Sequence, residues 1–509
     1  MKIRGKINSG TNLLNFSDRT AADSSISEKV IKGSFWVLAL RLTSRLLGIL
    51  RTFILARMLL PADFGLIGVA TITISLIETF SQPGIGAALI QKKEKIEPYL
   101  DTIWTVSIVR SIIIYALLFV AAPYVSDFFK APEASGIIQV FGVSVIIAGC
   151  RNSGVVFFQK SLNFKKQYIY ELSILLGNIF VAIPAALILG NVWALVLGGL
   201  AGSIMRFVMS YALHPFRPRF RFDTRKFSEL FRYGRWVLGS SILVFLISQG
   251  DDIFFGKMFG VTALGFYQMA YMISNLPTTE TSRVIAHVTF PAYSELQDDN
   301  RRISSAYLKI LQMVFFIAIP LAGAIFVFAS DAISIFLSNR WLPVVPLLQL
   351  LVWSGLAQAM VDATGAVFNA CGKPSINTKW QLINLVVLIT SIYPLSRVFG
   401  VTGVVIAVLL ANITAALVSI YEVRKVLQFR LLKFLKIFFI PLIGMLACVA
   451  VVRNLRTLLE FDKNMELILL LAVGAVLYYI ITFCFDWATN YNMRNMIRET
   501  VRLLRAGYS

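Results

Sequence analysis

Apolar runs long enough to cross a bilayer recur fourteen times in this 509-residue chain, at 34–58, 64–90, 103–125, 137–158, 168–189, 192–213, 236–256, 263–284, 307–329, 344–369, 380–396, 402–423, 434–452 and 464–484. A helical crossing needs roughly 20 apolar residues, and in lipid only helices and closed barrels satisfy their own backbone. The runs lack the in–out alternation of barrel strands. The expected fold is therefore an all-α polytopic membrane protein with about 14 transmembrane helices. An even count places both ends of the chain on one side. The segments of that side carry 33 Lys and Arg and the opposite loops carry 7, so the positive-inside rule sets both termini in the cytoplasm. The formal charge of +21, which in a soluble protein would suggest nucleic acid, is thereby explained by topology.

The chain also repeats itself. Trp36-Val37-Leu38 recurs as Trp236-Val237-Leu238, and the register holds through Leu46 and Leu246, Met58 and Met258, Gly65 and Gly265, Ala70 and Ala270, and Leu76 and Leu276. Further on, Gly154-Val155-Val156-Phe157 resembles Gly365-Ala366-Val367-Phe368, and Ser126-Asp127 resembles Ser330-Asp331. Such repeats in an apolar chain imply a transporter of two related bundles. The expected organisation is a cytoplasmic segment at 1–33, a first six-helix lobe at 34–213, a basic linker at 214–235, a second six-helix lobe at 236–423, two extra helices within 424–484, and an amphipathic tail at 485–509. The lobes differ in sign: Arg51 aligns with Asp251, and Arg151 with Asp362.

Residues 1–30 lack the short apolar core and cleavage site of a signal peptide, so the first span is expected to be retained. Cys150, Cys371, Cys448 and Cys484 have no metal or disulfide spacing and read as small apolar packers. His214 and His287 lie far apart. In the linker, Arg217, Arg219, Arg221, Arg225, Lys226, Arg232 and Arg235 are interleaved with Phe216, Phe220, Phe222, Phe227 and Phe231. This composition suits membrane lipids at the headgroup layer better than nucleic acid, which is not expected as a partner. In the tail, Arg494, Arg498, Arg502 and Arg505 oppose Met493, Ile497, Val501 and Leu504 at helical spacing. Pro83-Gly84 with Gly86, Pro184, Pro277, Pro320 and Pro394 interrupt apolar runs and mark either ordinary kinks or hinges for alternating access.

Ionisable residues inside spans are the candidates for function. Arg41, Arg45, Arg51, Arg110 and Arg151 fall in first-lobe spans, and at roughly 2.5–3.5 kcal/mol each at mid-span, five facing lipid would cost on the order of 12 kcal/mol or more. A hydrated cavity is the economical solution. Glu78 and Glu171 are the cavity acids available to pair with them, and two anions cannot neutralise five cations. The remaining positive charge calls for an anion, and the planar guanidinium fork suits phosphate. Arg57, Arg206 and Arg283 lie nearer span ends, as snorkelling anchors. Asp251, Asp252 and Asp362 are candidates for a coupling proton or sodium ion, or for ion pairing. Gln249, Gln268, Asn275, Gln358, Asn369, Gln381, Asn384 and Asn412, with Tyr267 and Tyr271, line a sugar-sized chamber or hold helices together. No metal and no other cofactor is expected.

Three segments resemble a known family. Ile54-Leu55-Ala56-Arg57-Met58-Leu59-Leu60-Pro61-Ala62-Asp63-Phe64-Gly65, Pro83-Gly84-Ile85-Gly86-Ala87-Ala88-Leu89-Ile90-Gln91 and Leu162-Asn163-Phe164-Lys165-Lys166 look like bacterial polysaccharide exporters, in particular the colanic-acid and teichuronic-acid exporter branch of the oligosaccharidyl-lipid flippases. The resemblance runs from about residue 28 to 484. It implies a flippase in the bacterial plasma membrane that moves a glycan repeat unit on a polyprenyl diphosphate by alternating access. It also implies a groove for the lipid tail formed by the two extra helices, and polysaccharide polymerases as partners. The arginines are the residues expected at the diphosphate.

Two relatives in the same superfamily are rivals. A multidrug or cation exporter is disfavoured because first-lobe arginines repel a cation; a peptidoglycan-precursor flippase handles similar chemistry and is separated only by the motif resemblance. An enzyme such as a membrane glycosyltransferase is not expected, because no acid–His constellation and no sizeable outward loop appears.

Overall fold

The computed structural model describes residues 36, 39–40, 42–81, 96–161, 163–277, 299–373, 375–457 and 463–489. Arg41, Pro83 to Gln91, Glu280, Arg283, His287 and the tail beyond 489 lie outside the described residues. Among those described, all regular structure is helical. The helices are α1 (42–58), α2 (Pro61–Ser81), α3 (Glu97–Phe129), α4 (Glu133–Gly149), α5 (Val156–Lys160), α6 (Phe164–Leu189), α7 (Trp193–Leu213), α8 (Thr224–Phe259), α9 (Val261–Ser274), α10 (Asn300–Phe336), α11 (Val344–Ala370), α12 (Ser375–Phe399), α13 (Val401–Leu427), α14 (Leu431–Arg456) and α15 (Lys463–Thr489). Ten are long and apolar enough to cross a membrane. With α1, α4, α8 and α9 on the remaining expected spans, the count agrees with about fourteen. The protein is a multi-pass membrane protein.

Two boundaries differ from the expected ones, each for a polar reason. The span expected at 137–158 stops at Gly149 and gives way to a 3-10 turn at Ser153–Val155. Asn152 causes the break. Its Oδ1 accepts the Gly154 N–H (2.8 Å), its own N–H donates to Ser210 Oγ (3.0 Å), and its Nδ2 donates to the Phe216 carbonyl (2.7 Å). These bonds satisfy backbone groups that a continuing helix would otherwise use. In the linker, α8 already begins at Thr224, because Asp223 accepts the N–H groups of Arg225 (3.0 Å) and Lys226 (3.3 Å). This is N-capping, and those donors, Lys226 foremost, hold the Asp223 carboxyl below its ordinary range. Only 214–223 are extended. The helices run on through Pro184, Pro320 and Pro394.

The described chain divides into two compact units: residues within Met1–Leu59, Thr73–Ser126 and Pro132–Ser240, and residues within Leu60–Ile72, Asp127–Ala131 and Ser241–Ser509. In the first unit α6 packs along α7, and α4 packs against α7. Small residues bring these backbones together, as is usual where lipid removes the hydrophobic drive. In the second unit α10 contacts α11, α14 and α15, while α11 contacts α9 and α13. Tyr307, Phe315 and Phe368 are fully buried there.

The start of α2 belongs to the second unit, and there the sequence repeat becomes a physical contact. A Cβ on Gly65 would overlap the Val261 carbonyl, and a Cβ on Gly265 would overlap the Pro61 carbonyl. These positions are equivalent pairs in the repeat. Gly68 lies against the side chain of Gln268, its own equivalent. Trp341 is fully buried beside the crossing, with Phe64 at 5.2 Å and Phe266 at 6.0 Å.

Candidate functional site

In the first unit the cationic side chains sit on α1, α3, α7 and the break after α4. Arg51, half-buried on α1, donates from Nη1 to Asn178 Oδ1 on α6 (2.9 Å); its Nε is buried without a hydrogen bond among the described residues. Arg110 on α3 donates from Nη2 to the Glu78 carbonyl (2.9 Å) and from Nε to Ser81 Oγ (3.2 Å). Both arginines are thus positioned by neutral oxygens. Such acceptors fix a guanidinium without cancelling its charge and leave further N–H donors for a ligand.

Three cations bear on the Glu78 carboxylate: Arg110, Arg151 and Arg206. Arg151 and Arg206 also bear on Tyr170, as does Glu171. Arg151 falls in the break after Gly149, where its side chain is exposed. Arg206 departs from the expectation: it lies within α7 and joins this group, where its distance from the span end had suggested an anchor. Arg45 is half-buried on α1. Sequence reasoning also missed Asn178 and Ser81. A signal for each existed, since Asn178 shares a helix face with Glu171 seven residues earlier, and Ser81 shares one with Glu78.

The second unit holds carboxylates in the mirror arrangement. Asp251 is buried and accepts a short hydrogen bond from the Tyr267 hydroxyl, and its Oδ1 also accepts the Asp252 N–H (3.0 Å). Gln268 bonds the Asp252 carboxylate, and Gln358 Nε2 donates to Asp362 Oδ1 one turn away (2.9 Å). Tyr271 lies in the field of all three aspartates. The donors to Asp251 and Asp252 are neutral groups. The amides farther along hold helices together: Asn384 Nδ2 donates to Asn412 Oδ1 (2.9 Å), and Asn412 Nδ2 donates to Ser354 Oγ (2.7 Å), joining α12, α13 and α11. Among the described residues no cluster of His, Cys, Asp or Glu has the makings of a metal site.

Residues 54–346 match the family described as polysaccharide biosynthesis protein, more than half of the chain. The chain belongs to this family. It is 24% identical over 403 residues to the lipopolysaccharide biosynthesis protein WzxC of Escherichia coli (strain K12), covering 79% of this chain and 82% of that one. It is 23% identical to the succinoglycan biosynthesis transport protein ExoT of Rhizobium meliloti (strain 1021), covering 89% and 91%. Its fold is similar to that of a solved structure of the lipid II flippase MurJ, recorded in an inward closed conformation: TM-score 0.71 at 16% identity, covering 89% of this chain and 99% of that one. Membership agrees with the resemblance read from the segments at 54–65 and 162–166.

The two helices beyond the repeat add a feature of their own. In this family member α14 and α15 enclose, with α10, an apolar cavity of about 250 Å³ whose walls include Pro320, Gly323, Met445, Gly474 and Tyr479. One end of this three-helix group is clasped by Arg456. Its Nη1 and Nη2 each reach an Asp331 oxygen at 3.0 Å, and its Nε reaches Glu466 at 3.0 Å. At the other helices' middle, the Tyr478 hydroxyl donates to the Phe316 carbonyl (3.0 Å).

Proposed function

We propose that this protein is a flippase that carries a polyprenyl-diphosphate-linked oligosaccharide repeat unit across the bacterial plasma membrane for extracellular polysaccharide synthesis, by alternating access. One observation carries the reading. Arg51, Arg110 and Arg151 make no ion pair among the described residues, so the first unit keeps a surplus of positioned guanidinium groups within an apolar bundle. A diphosphate is an anion of matching charge and donor demand. The names of WzxC, ExoT and MurJ supply the substrate class by analogy: surface glycan precursors and their lipid carrier.

In this reading Arg41, Arg45, Arg51, Arg110 and Arg151, joined by Arg206, receive the diphosphate, while Glu78 and Glu171 temper the charge. The apolar cavity of α10, α14 and α15 accepts part of the isoprenoid tail, a chain without polar atoms. Asp251, Asp252 and Asp362 bind the coupling proton or sodium ion. Both termini face the cytoplasm, on the side of the basic loops, and polysaccharide polymerases take the product outside. The protein performs no covalent chemistry. A multidrug exporter of the same fold class handles lipophilic cations, which the first unit repels.

The test compares cells with and without the gene while the glycan pathway is induced, measuring surface polysaccharide and the lipid-linked repeat unit together. Loss of polymer with build-up of linked precursor on the cytoplasmic face is the expected result. Unchanged polymer, with linked repeat units appearing normally outside, overturns the reading for that glycan.

A further inference from the structure

The basic linker is a built surface. Residues 214–223 form an extended strap tied down along its length by the first unit. Burial and the neighbouring cations Lys166 and Arg217 hold His214 below its ordinary range, so its Nδ1 is free to accept the Phe216 N–H (3.2 Å). The ring of His214 stacks on Phe157 at 5.5 Å. Asn152 grips the Phe216 carbonyl, Asp101 Oδ1 accepts the Arg219 N–H (2.9 Å), and Thr105 Oγ1 accepts the Arg221 N–H (3.1 Å). Asp101 and Thr105 are one turn apart on α3, so alternate strap residues hang from a single helix face.

These ties sort the strap's charges into two groups. The Arg217 guanidinium turns back onto the carbonyls of His214 (2.8 Å) and Phe216 (3.0 Å), and Lys226 is spent on the Pro98 carbonyl (3.0 Å) and Asp223. Arg219, Arg221 and Arg225 are exposed, and among the described residues their guanidinium groups make no hydrogen bond or ion pair. Between them Phe220 and Phe222 stand 72% and 53% exposed, on a backbone that cannot fold them away. Phe220 also meets Trp104 edge-on at 4.8 Å, and tryptophan is the residue of the membrane interface.

We propose that the strap and the first turn of α8 form a binding site for anionic phospholipid on the basic face of the membrane. Arg219, Arg221 and Arg225 take headgroup phosphates, and Phe220 and Phe222 enter the layer of acyl chains beneath. A nucleic acid would satisfy the cations but leaves the phenyl rings without the apolar layer that their level along the membrane provides. The carrier diphosphate offers related chemistry; the open, surface setting of the strap favours the bulk lipid of the leaflet. The binding site does not depend on what the protein transports.

The test uses the full chain, purified in detergent and titrated with phosphatidylglycerol or phosphatidylcholine, with bound lipids counted by native mass spectrometry. An arginine near a lipid surface is worth about fivefold in binding. The variant R219Q/R221Q/R225Q is therefore expected to lose phosphatidylglycerol affinity by on the order of 100-fold, and to keep its weak phosphatidylcholine binding. A charge-matched control, R424Q/K425Q/K433Q, is expected to retain wild-type binding. Equal losses in both variants mean diffuse charge and overturn the proposal, as does wild-type binding by the strap variant. A strap-dependent grip on a labelled oligonucleotide, without preference for phosphatidylglycerol, overturns it in favour of nucleic acid. Should the triple variant melt below the wild type, the single variants R219Q, R221Q and R225Q, at about fivefold each, carry the same comparison.

Discussion

Position 51 and position 251 occupy the same place in the repeat and carry opposite charges. In the first unit Arg51 is held by the amide oxygen of Asn178; in the second, Asp251 is held by the Tyr267 hydroxyl. Each side chain is fixed by a neutral partner. Had the purpose been stability, the cheaper solution inside an apolar bundle would be a close ion pair or no charge at all. Geometry of this kind, a fixed charge without a counter-charge, is what a binding group for a mobile ion requires. In the proposed reading the two units would divide the labour by sign, the first taking an anion and the second a cation. Arg151 and Asp362, equivalent in the repeat, also differ in sign.

The strongest way to break this comparison is to exchange the signs. Arg51→Asp and Asp251→Arg should each abolish export, and the double variant should not restore it, because Asn178 and Tyr267 stay behind as the wrong partners. Recovery of surface polysaccharide in the double variant would mean that only the presence of both charges matters. Next in size are Arg51→Ala and Arg110→Ala. Each removes a charged donor worth about 1.5–3 kcal/mol, so export should fall by roughly tenfold to a hundredfold at 1.4 kcal/mol per tenfold, at equal protein in the membrane. Normal export by both removes these arginines from the site.

Smaller effects sharpen the comparison. Gly65→Ala and Gly265→Ala place a methyl against the opposite carbonyl, and overpacking of this kind costs about 1–3 kcal/mol. The two variants should lower the melting temperature in detergent by similar amounts, because here, unlike at 51 and 251, the repeat has kept one chemistry. A large inequality would show that the two sides of the crossing are no longer equivalent. Least of all, Tyr267→Phe keeps the ring on Phe255 (4.5 Å) and deletes one hydrogen bond to Asp251, a loss of about 1–3 kcal/mol. Export should decline by less than in the arginine variants, and its dependence on an imposed proton or sodium gradient should shift.

Much of this was legible in the sequence because lipid allows few solutions. Length and polarity placed the helices, and the two-hundred-residue register aligned Gly65 with Gly265, without showing that the two would pack together. What stayed hidden depended on side chains far apart in sequence. The span expected at 137–158 ends early because Asn152 finds Ser210 and Phe216, and no apolar run reports those meetings. Arg206 looked like an anchor because distance from a span end is a one-dimensional measure; its relation to Glu78 is set by how α7 is rotated against its neighbours. Likewise the linker's composition suits a membrane surface, but which of its cations turn back into the strap depends on carbonyls folded within it.

The crossing of α2 and α9 has a bearing on ancestry. Gly65 meets Val261 while Gly265 meets Pro61, so each side of the contact is a copy of the other. That is the isologous interface of a symmetric dimer, preserved inside one chain. A half-length ancestor that paired with itself would have made this contact twice from one glycine codon, so any mutation there struck both faces at once. Fusion of two such copies into a single gene would release them from that constraint. At the crossing they stayed alike, and at 51 and 251 they parted, one toward arginine and one toward aspartate.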